Sequence, residues 1–190
     1  MKRLNLKINR SNAPLNQPAV NANLNQVQLI KFRNNGLPDG FKIVRHLNLW
    51  IFKFAQLPQV RSAALAIIGD VGNNNQEGQL ERLTNFVRSR VRYVADPIGS
   101  EFVTSPVIQL EQIRRQGFTS GDCDDHVILL GSLAGSVGLE SAAVGVKLPN
   151  SPIYNHVVNV IVTNGNEHLI DACRKINNPN VEGLFNEVVF

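Results

Sequence analysis

Cysteine is scarce in this sequence. There are two, Cys123 and Cys173, with neither a CxxC pair nor histidines at zinc-finger spacing. That pattern makes no disulfide framework. Long apolar runs are missing too: the longest, 47 to 54 and 63 to 68, fall short of the roughly 20 residues that span a bilayer, so no membrane span is expected. The basic N-terminus (Lys2, Arg3, Lys7, Arg10) leads into polar, Asn-rich sequence rather than an apolar core, which argues against a secretory signal peptide. Acidic residues are almost absent from residues 1 to 60, where nine Lys or Arg face only Asp39. The remainder carries ten Lys or Arg against fourteen acids. Basic and aromatic residues do not interleave in the leading segment, so base stacking is not indicated.

What remains is 190 residues with 43% hydrophobic content, enough for one sizeable core. Residues 1 to 38 hold nine Asn and three Pro with apolar residues scattered singly. They read as an extended basic arm with one short strand at about 5 to 9, ordered only against something else. A domain over 39 to 190 follows. A cationic arm suits an anionic partner, nucleic acid or an acidic protein surface, or is simply a solvated tail.

From 41 to 71 apolar residues recur at three- and four-residue steps, broken at Pro58, which predicts two helices. Leu80, Leu83, Val87, Val91 and Val94 predict a third, from about 77 to 93. Residues 98 to 119 read as a connecting loop with a short helix around 107 to 116. At Ser120 begins Ser-Gly-Asp-Cys-Asp-Asp-His, followed by a strongly apolar run ending at Gly138. This is a helix start, capped by Ser120 or Asp122, leading into a buried helix. Cys123 then lies in the first turn, where unpaired N–H groups and the helix dipole favour thiolate.

Further on, 156 to 162 alternates as a strand, Thr163-Asn164-Gly165-Asn166 signals a two-residue hairpin, and 167 to 173 returns as the partner. With Asn164-Gly165 at the tip, Val158 faces Asp171 and His156 faces Cys173. His156 and Asp171 become diagonal neighbours on one face. A carboxylate holding an imidazole whose other nitrogen meets a thiol is the arrangement that activates a cysteine nucleophile.

Gly121 to His126, Leu129-Leu130, Gly138-Leu139, His156-Val157 and Asp171 together resemble the transglutaminase-like superfamily. The upstream run Phe86-Val-Arg-Ser-Arg-Val-Arg-Tyr93, with Asp96-Pro97, Gly99, Glu101 and Pro106, looks like a form of it often encoded by bacteriophages. The likeness spans about 60 to 172. It departs where relatives often carry aromatics near the triad His and Asp, since Val157, Val158, Leu169 and Ile170 stand here, and where an Arg often follows the Gly-Leu pair.

The resemblance implies an α+β, papain-like fold: a helical N-terminal half and a catalytic helix packed on an antiparallel sheet. It implies acyl transfer from a protein or peptide substrate by a Cys123, His156, Asp171 triad, as a peptidase or a transglutaminase. Backbone N–H groups at the helix start would hold the oxyanion, with Gln116 as a side-chain candidate by position. Asp122, Asp124 and Asp125 could bind calcium, as acids flanking the Cys do in some relatives, or satisfy helix N–H groups. No other cofactor is implied. His126 and Cys173 read as structural. A phage protein of this kind is expected in the virion after synthesis in host cytoplasm, its arm docking on other virion proteins or nucleic acid. The rival reading is a structural virion protein that keeps the enzyme fold as a docking platform.

Overall fold

In the computed structural model, residues 28–30, 37–97, 101–150, 155–177, 179–181 and 183–185 are described. The expected strand at 5 to 9 lies outside them. Helices α1 (Leu37–Ala55) and α2 (Pro58–Ile68) are parted at the expected proline, with Pro58 opening α2 where its missing N–H costs nothing. Helix α3 (Gln76–Arg90) is capped by Asn75, whose side chain accepts from the Gly78 N–H.

The third helix is shorter than its periodicity suggested. Val91–Tyr93 leaves it as strand β2, because it pairs in parallel with β4 (Thr119–Gly121). The expected loop from 98 likewise contains a strand, β3 (Glu101–Val103), paired antiparallel with β1 (Gln28–Ile30) from within the expected arm. Helix α4 (Pro106–Gln116) follows, capped by Ser105 and closed by Gly117 in the left-handed region.

Helix α5 (Cys123–Ser136) is the centre of the molecule. Ile128, Leu129, Leu130, Leu133 and Ala134 are fully buried between the helical half and the sheet. The sheet runs β8 (Ile176–Asn177), β7 (Asn166–Asp171), β6 (His156–Thr163), β5 (Glu140–Lys147), β9 (Gly183–Phe185), antiparallel throughout. Gly131 lets α1 and the sheet approach α5: a Cβ there would lie 2.7 Å from Ile51 Cδ1 and 3.0 Å from Asn159 Nδ2.

Along β5, the edge that β9 does not cover would leave backbone groups unpaired. Asn48 of α1 closes it, donating to the Ala143 carbonyl at 3.1 Å and accepting from the Ala143 N–H at 2.7 Å. Both groups are buried, so truncating the amide strands a donor and an acceptor without water. Asn48→Ala should therefore cost about 2–3 kcal/mol, read as a lowered urea midpoint with an unchanged slope. A loss below ~0.5 kcal/mol would mean that water replaces the side chain.

Candidate active site

The helix start is built from acids. Asp122, rather than Ser120, is the cap: its Oδ1 accepts from the Asp124 N–H at 3.0 Å, and the His126 N–H reaches its carbonyl at 3.3 Å. Ser120 is in β4 instead. Asp125 turns the other way, under the helix, where Oδ1 accepts from the Thr104 N–H at 2.7 Å. Gln109 locks that contact by donating to the carbonyls of Thr104 and Asp125 at 2.9 and 3.1 Å. Gly121 makes the approach feasible, since a Cβ there would come within 2.0 Å of Asp125 Oδ2. His126 is buried, with Nδ1 2.7 Å from the Asp122 carbonyl, a structural role tying the first turn together.

Across from this start, the hairpin has the expected register. Thr163 pairs with Asn166 and Asn159 with Ile170, around Asn164 at φ 51° and Gly165 at φ 77°, the left-handed pair that a tight two-residue turn requires. The ladder ends sooner than expected. β7 stops at Asp171, which pairs onward with Ile176 of β8 while the Arg174 N–H donates to Asp171 Oδ1 at 2.8 Å. Cys173 is therefore in the β7–β8 turn and not opposite His156.

Reaching across the ladder's end, His156 Nε2 meets Asp171 Oδ2 at 2.8 Å, with side chains 9% and 1% exposed. Burial pushes the Asp171 pKa up, but the hydrogen bonds from His156 and the Arg174 N–H outweigh it and hold the carboxyl below its usual value. Arg88 of α3 steadies the same strand end, donating to the Asp171 carbonyl at 3.4 Å and to Asn177 Oδ1 at 2.6 Å. Asn159 ties β6 to α5 by donating to the Val127 carbonyl at 3.0 Å. Nothing in the sequence marks Arg88 or Asn159 for these roles, because such long-range contacts leave no local pattern.

The thiol stands between these two assemblies. Cys123 Sγ is 3.7 Å from Asp124 Oδ1, and the Val157 N–H, next to His156, donates to the sulfur. Burial first, then Asp124 and Asp122, push its pKa well above the usual thiol value, with the Val157 N–H pulling the other way. The helix start thus does not yield a resting thiolate: enclosure and two carboxylates outweigh the dipole. Cys173 is raised as well, to about 11, chiefly by burial.

Two sequence expectations fare differently here. The side-chain amide of Gln116 is exposed at the end of α4 and donates to the Phe118 carbonyl at 3.1 Å, so it is engaged locally. Of the three acids, Asp122 and Asp124 gather with the thiol, their ligating atoms within 4.8 Å of one another, whereas Asp125 serves Thr104. Two carboxylates and a thiol, with Asp122 already capping, do not fit calcium, which takes six to eight oxygen ligands.

Aligned on solved structures, this architecture is similar to that of a candidate protease from Parabacteroides distasonis, with a TM-score of 0.53 and 11% identity over 69% of this chain and 26% of that one. The fold is papain-like, of the transglutaminase-like kind. A candidate cysteine protease from Cytophaga hutchinsonii aligns with a TM-score of 0.47 and 17% identity, over 79% of this chain and 50% of that one. An arylamine N-acetyltransferase from Mycobacterium abscessus gives a TM-score of 0.40 and 22% identity, over 65% and 44%. The chain thus spans at most half the length of these proteins. No family model and no curated protein matches the sequence. Among the described residues no helix is long and apolar enough to cross a membrane.

Proposed function

We propose that the chain is a transglutaminase-like cysteine peptidase, transferring acyl groups from peptide amides through Cys123, His156 and Asp171. The observation that carries this is the buried His156–Asp171 hydrogen bond at 2.8 Å, beside a thiol that receives the neighbouring Val157 N–H. Asp171 holds Nε2, which leaves Nδ1 as the nitrogen to take the thiol proton. Because the thiol rests protonated, proton transfer to His156 accompanies attack on the carbonyl rather than preceding it. The Asp122 carboxylate is spent on the N–H groups that follow, leaving the Cys123 N–H to meet the oxyanion. His156 then returns its proton to the departing amine, and water or an amine releases the acyl group.

The phage resemblance extends the proposal to a virion-associated protein whose basic arm docks on neighbouring subunits or nucleic acid. The scaffold reading is favoured by the setting of the thiol, whose burial beside Asp124 and Asp122 pushes its pKa up.

Brief treatment with p-nitrophenyl acetate separates the two. The catalytic reading expects one acetyl group mapped by mass spectrometry to Cys123, ahead of Cys173, with faster loss when a primary amine or water can accept it. Labelling of Cys173 first, or of neither thiol in folded protein, would sink the catalytic reading and leave the scaffold.

A further inference from the structure

We propose that Arg88 is a positioning residue for acyl transfer: by clamping the end of β7 to α3 and β8, it keeps the Asp171 carboxylate in line with His156. The proposal rests on the acyl chemistry at Cys123 and goes beyond the triad itself.

The need for a clamp follows from the strand pairing. The β6–β7 ladder stops at Asn159–Ile170, one residue short of Asp171, so β6 does not hold the backbone that carries the carboxylate. On its other side Asp171 pairs with Ile176 of β8, a strand of two residues, both exposed. A short edge ladder open to water frays readily. Yet the bond from His156 Nε2 to Asp171 Oδ2 is 2.8 Å long, and a hydrogen bond tolerates little drift of its acceptor.

Arg88 supplies what the sheet lacks. It lies in the last turn of α3, whose Leu83, Thr84 and Val87 are sunk in the core, so its base is fixed. Its Nη2 donates to the Asp171 carbonyl at 3.4 Å and to Asn177 Oδ1 at 2.6 Å. Asn177 is the β8 partner of Ile170, so one nitrogen bridges both strands of the short ladder. Burial lowers the guanidinium pKa and the nearby Asp171 charge works against that.

Stability does not account for this arginine. Among the described residues its buried Nε finds no hydrogen-bond partner, and a buried donor left unpaired costs free energy. An apolar side chain of similar length fills such a place without that cost. A costly group at the foot of the triad is explained by what it does for Asp171.

Arg88→Met tests this, since Met keeps an unbranched stem and removes every donor. In the assay with p-nitrophenyl acetate, the Cys123 sulfur bonds to the acetyl carbon, its proton passes to His156, and p-nitrophenolate leaves with the electron pair of the broken ester bond. Acetylation of Cys123 should slow about 10- to 100-fold, the scale for misplacing a reacting group by roughly an ångström, while the unfolding temperature stays level or rises. By NMR, the His156 proton on Nε2 should exchange faster with water. Arg88→Lys, which restores the charge and a donor, should recover part of the rate. Asn177→Ala, an exposed change, should slow acetylation by a smaller factor, and the double variant should be no slower than Arg88→Met, because both release one clamp.

Acetylation of Arg88→Met at the wild-type rate overturns this proposal and leaves acyl transfer standing. Slowing that comes with a lower unfolding temperature and an unchanged His156 proton also overturns it, since Arg88 would then serve the fold alone. Additive slowing in the double variant does the same. If Arg88→Met fails to fold, Asn177→Ala decides: slower acetylation with faster exchange of the His156 proton supports the clamp, and the wild-type rate overturns it. A wild-type protein that is alkylated by iodoacetamide but never acetylated at Cys123 overturns acyl transfer and this proposal together.

Discussion

Cys123→Ala should lose acyl transfer by a factor of about 10³ or more while keeping, or slightly raising, the unfolding temperature. The factor follows from removing a nucleophile that the rest of the site cannot replace. Stability should hold for a separate reason. The thiol sits beside Asp122 and Asp124, and its sulfur makes only weak contacts, 3.7 Å from the Asp124 carboxylate and with the Val157 N–H, so little bonding is forfeited. Alanine is also a strong helix former for the first turn of α5. Progress curves with p-nitrophenyl acetate and thermal unfolding at one pH would check both halves. Residual activity above about a tenth of wild type would transfer the chemistry to another group, with Cys173 the first to examine.

A pH-dependent stability is the second large effect expected, and it arises beneath the same helix start. Burial pushes the Asp125 carboxyl up to about 7 and that of Asp122 to about 6, from ordinary values near 3.8. For an acid whose folded pKa is raised, the folded state holds a proton that the unfolded chain has already released. Stability then falls as pH rises through the window from about 4 to about 7, and it levels off above. Asp125 alone makes this on the order of 4 kcal/mol between its protonated and ionised states.

Asp125→Asn mimics the protonated side chain and keeps an oxygen for the Thr104 N–H. It should leave stability at pH 5 close to that of the wild type, raise it at pH 8 by roughly 1–3 kcal/mol, and flatten the profile between. Urea unfolding at the two pH values would read this out. A variant less stable than wild type at both would show that the carboxylate, as an anion, is needed to hold residues 101 to 104. Asp171 has the opposite sign: its lowered carboxyl pKa contributes stability above its ordinary value that is lost as pH falls through the folded one. Wild type should therefore be most stable at mildly acidic pH rather than at pH 8.

Much of this architecture is legible in local pattern. Pro58 splits two helices because a proline at a helix start is tolerated and one inside is not. Asn164-Gly165 sets the turn, and with it the register of every residue in the hairpin, because both positions need left-handed backbone that few other pairs accept. That register alone brings His156 toward Asp171. Apolar content after Cys123 marks the buried helix.

Other features are illegible for equally physical reasons. Val91 and Val94 continue a helical period, but Val91 to Tyr93 is strand, since the pairing partner at Thr119 to Gly121 is remote in sequence. β5 is short of polar punctuation and its alternation is masked by burial of Ala142 to Val146. The ending of β7 at Asp171, which displaces Cys173 from the site's far strand, depends on a turn held by the Arg174 N–H.

By itself, then, the order of residues determined the helix start bearing Cys123, the hairpin and the diagonal approach of His156 and Asp171. Each follows from backbone preferences acting over a few residues. The state of the thiol and the partition of Asp122, Asp124 and Asp125 between capping, sulfur and Thr104 were decided only in the tertiary structure. Burial and charge–charge distance depend on what the rest of the chain folds against each group.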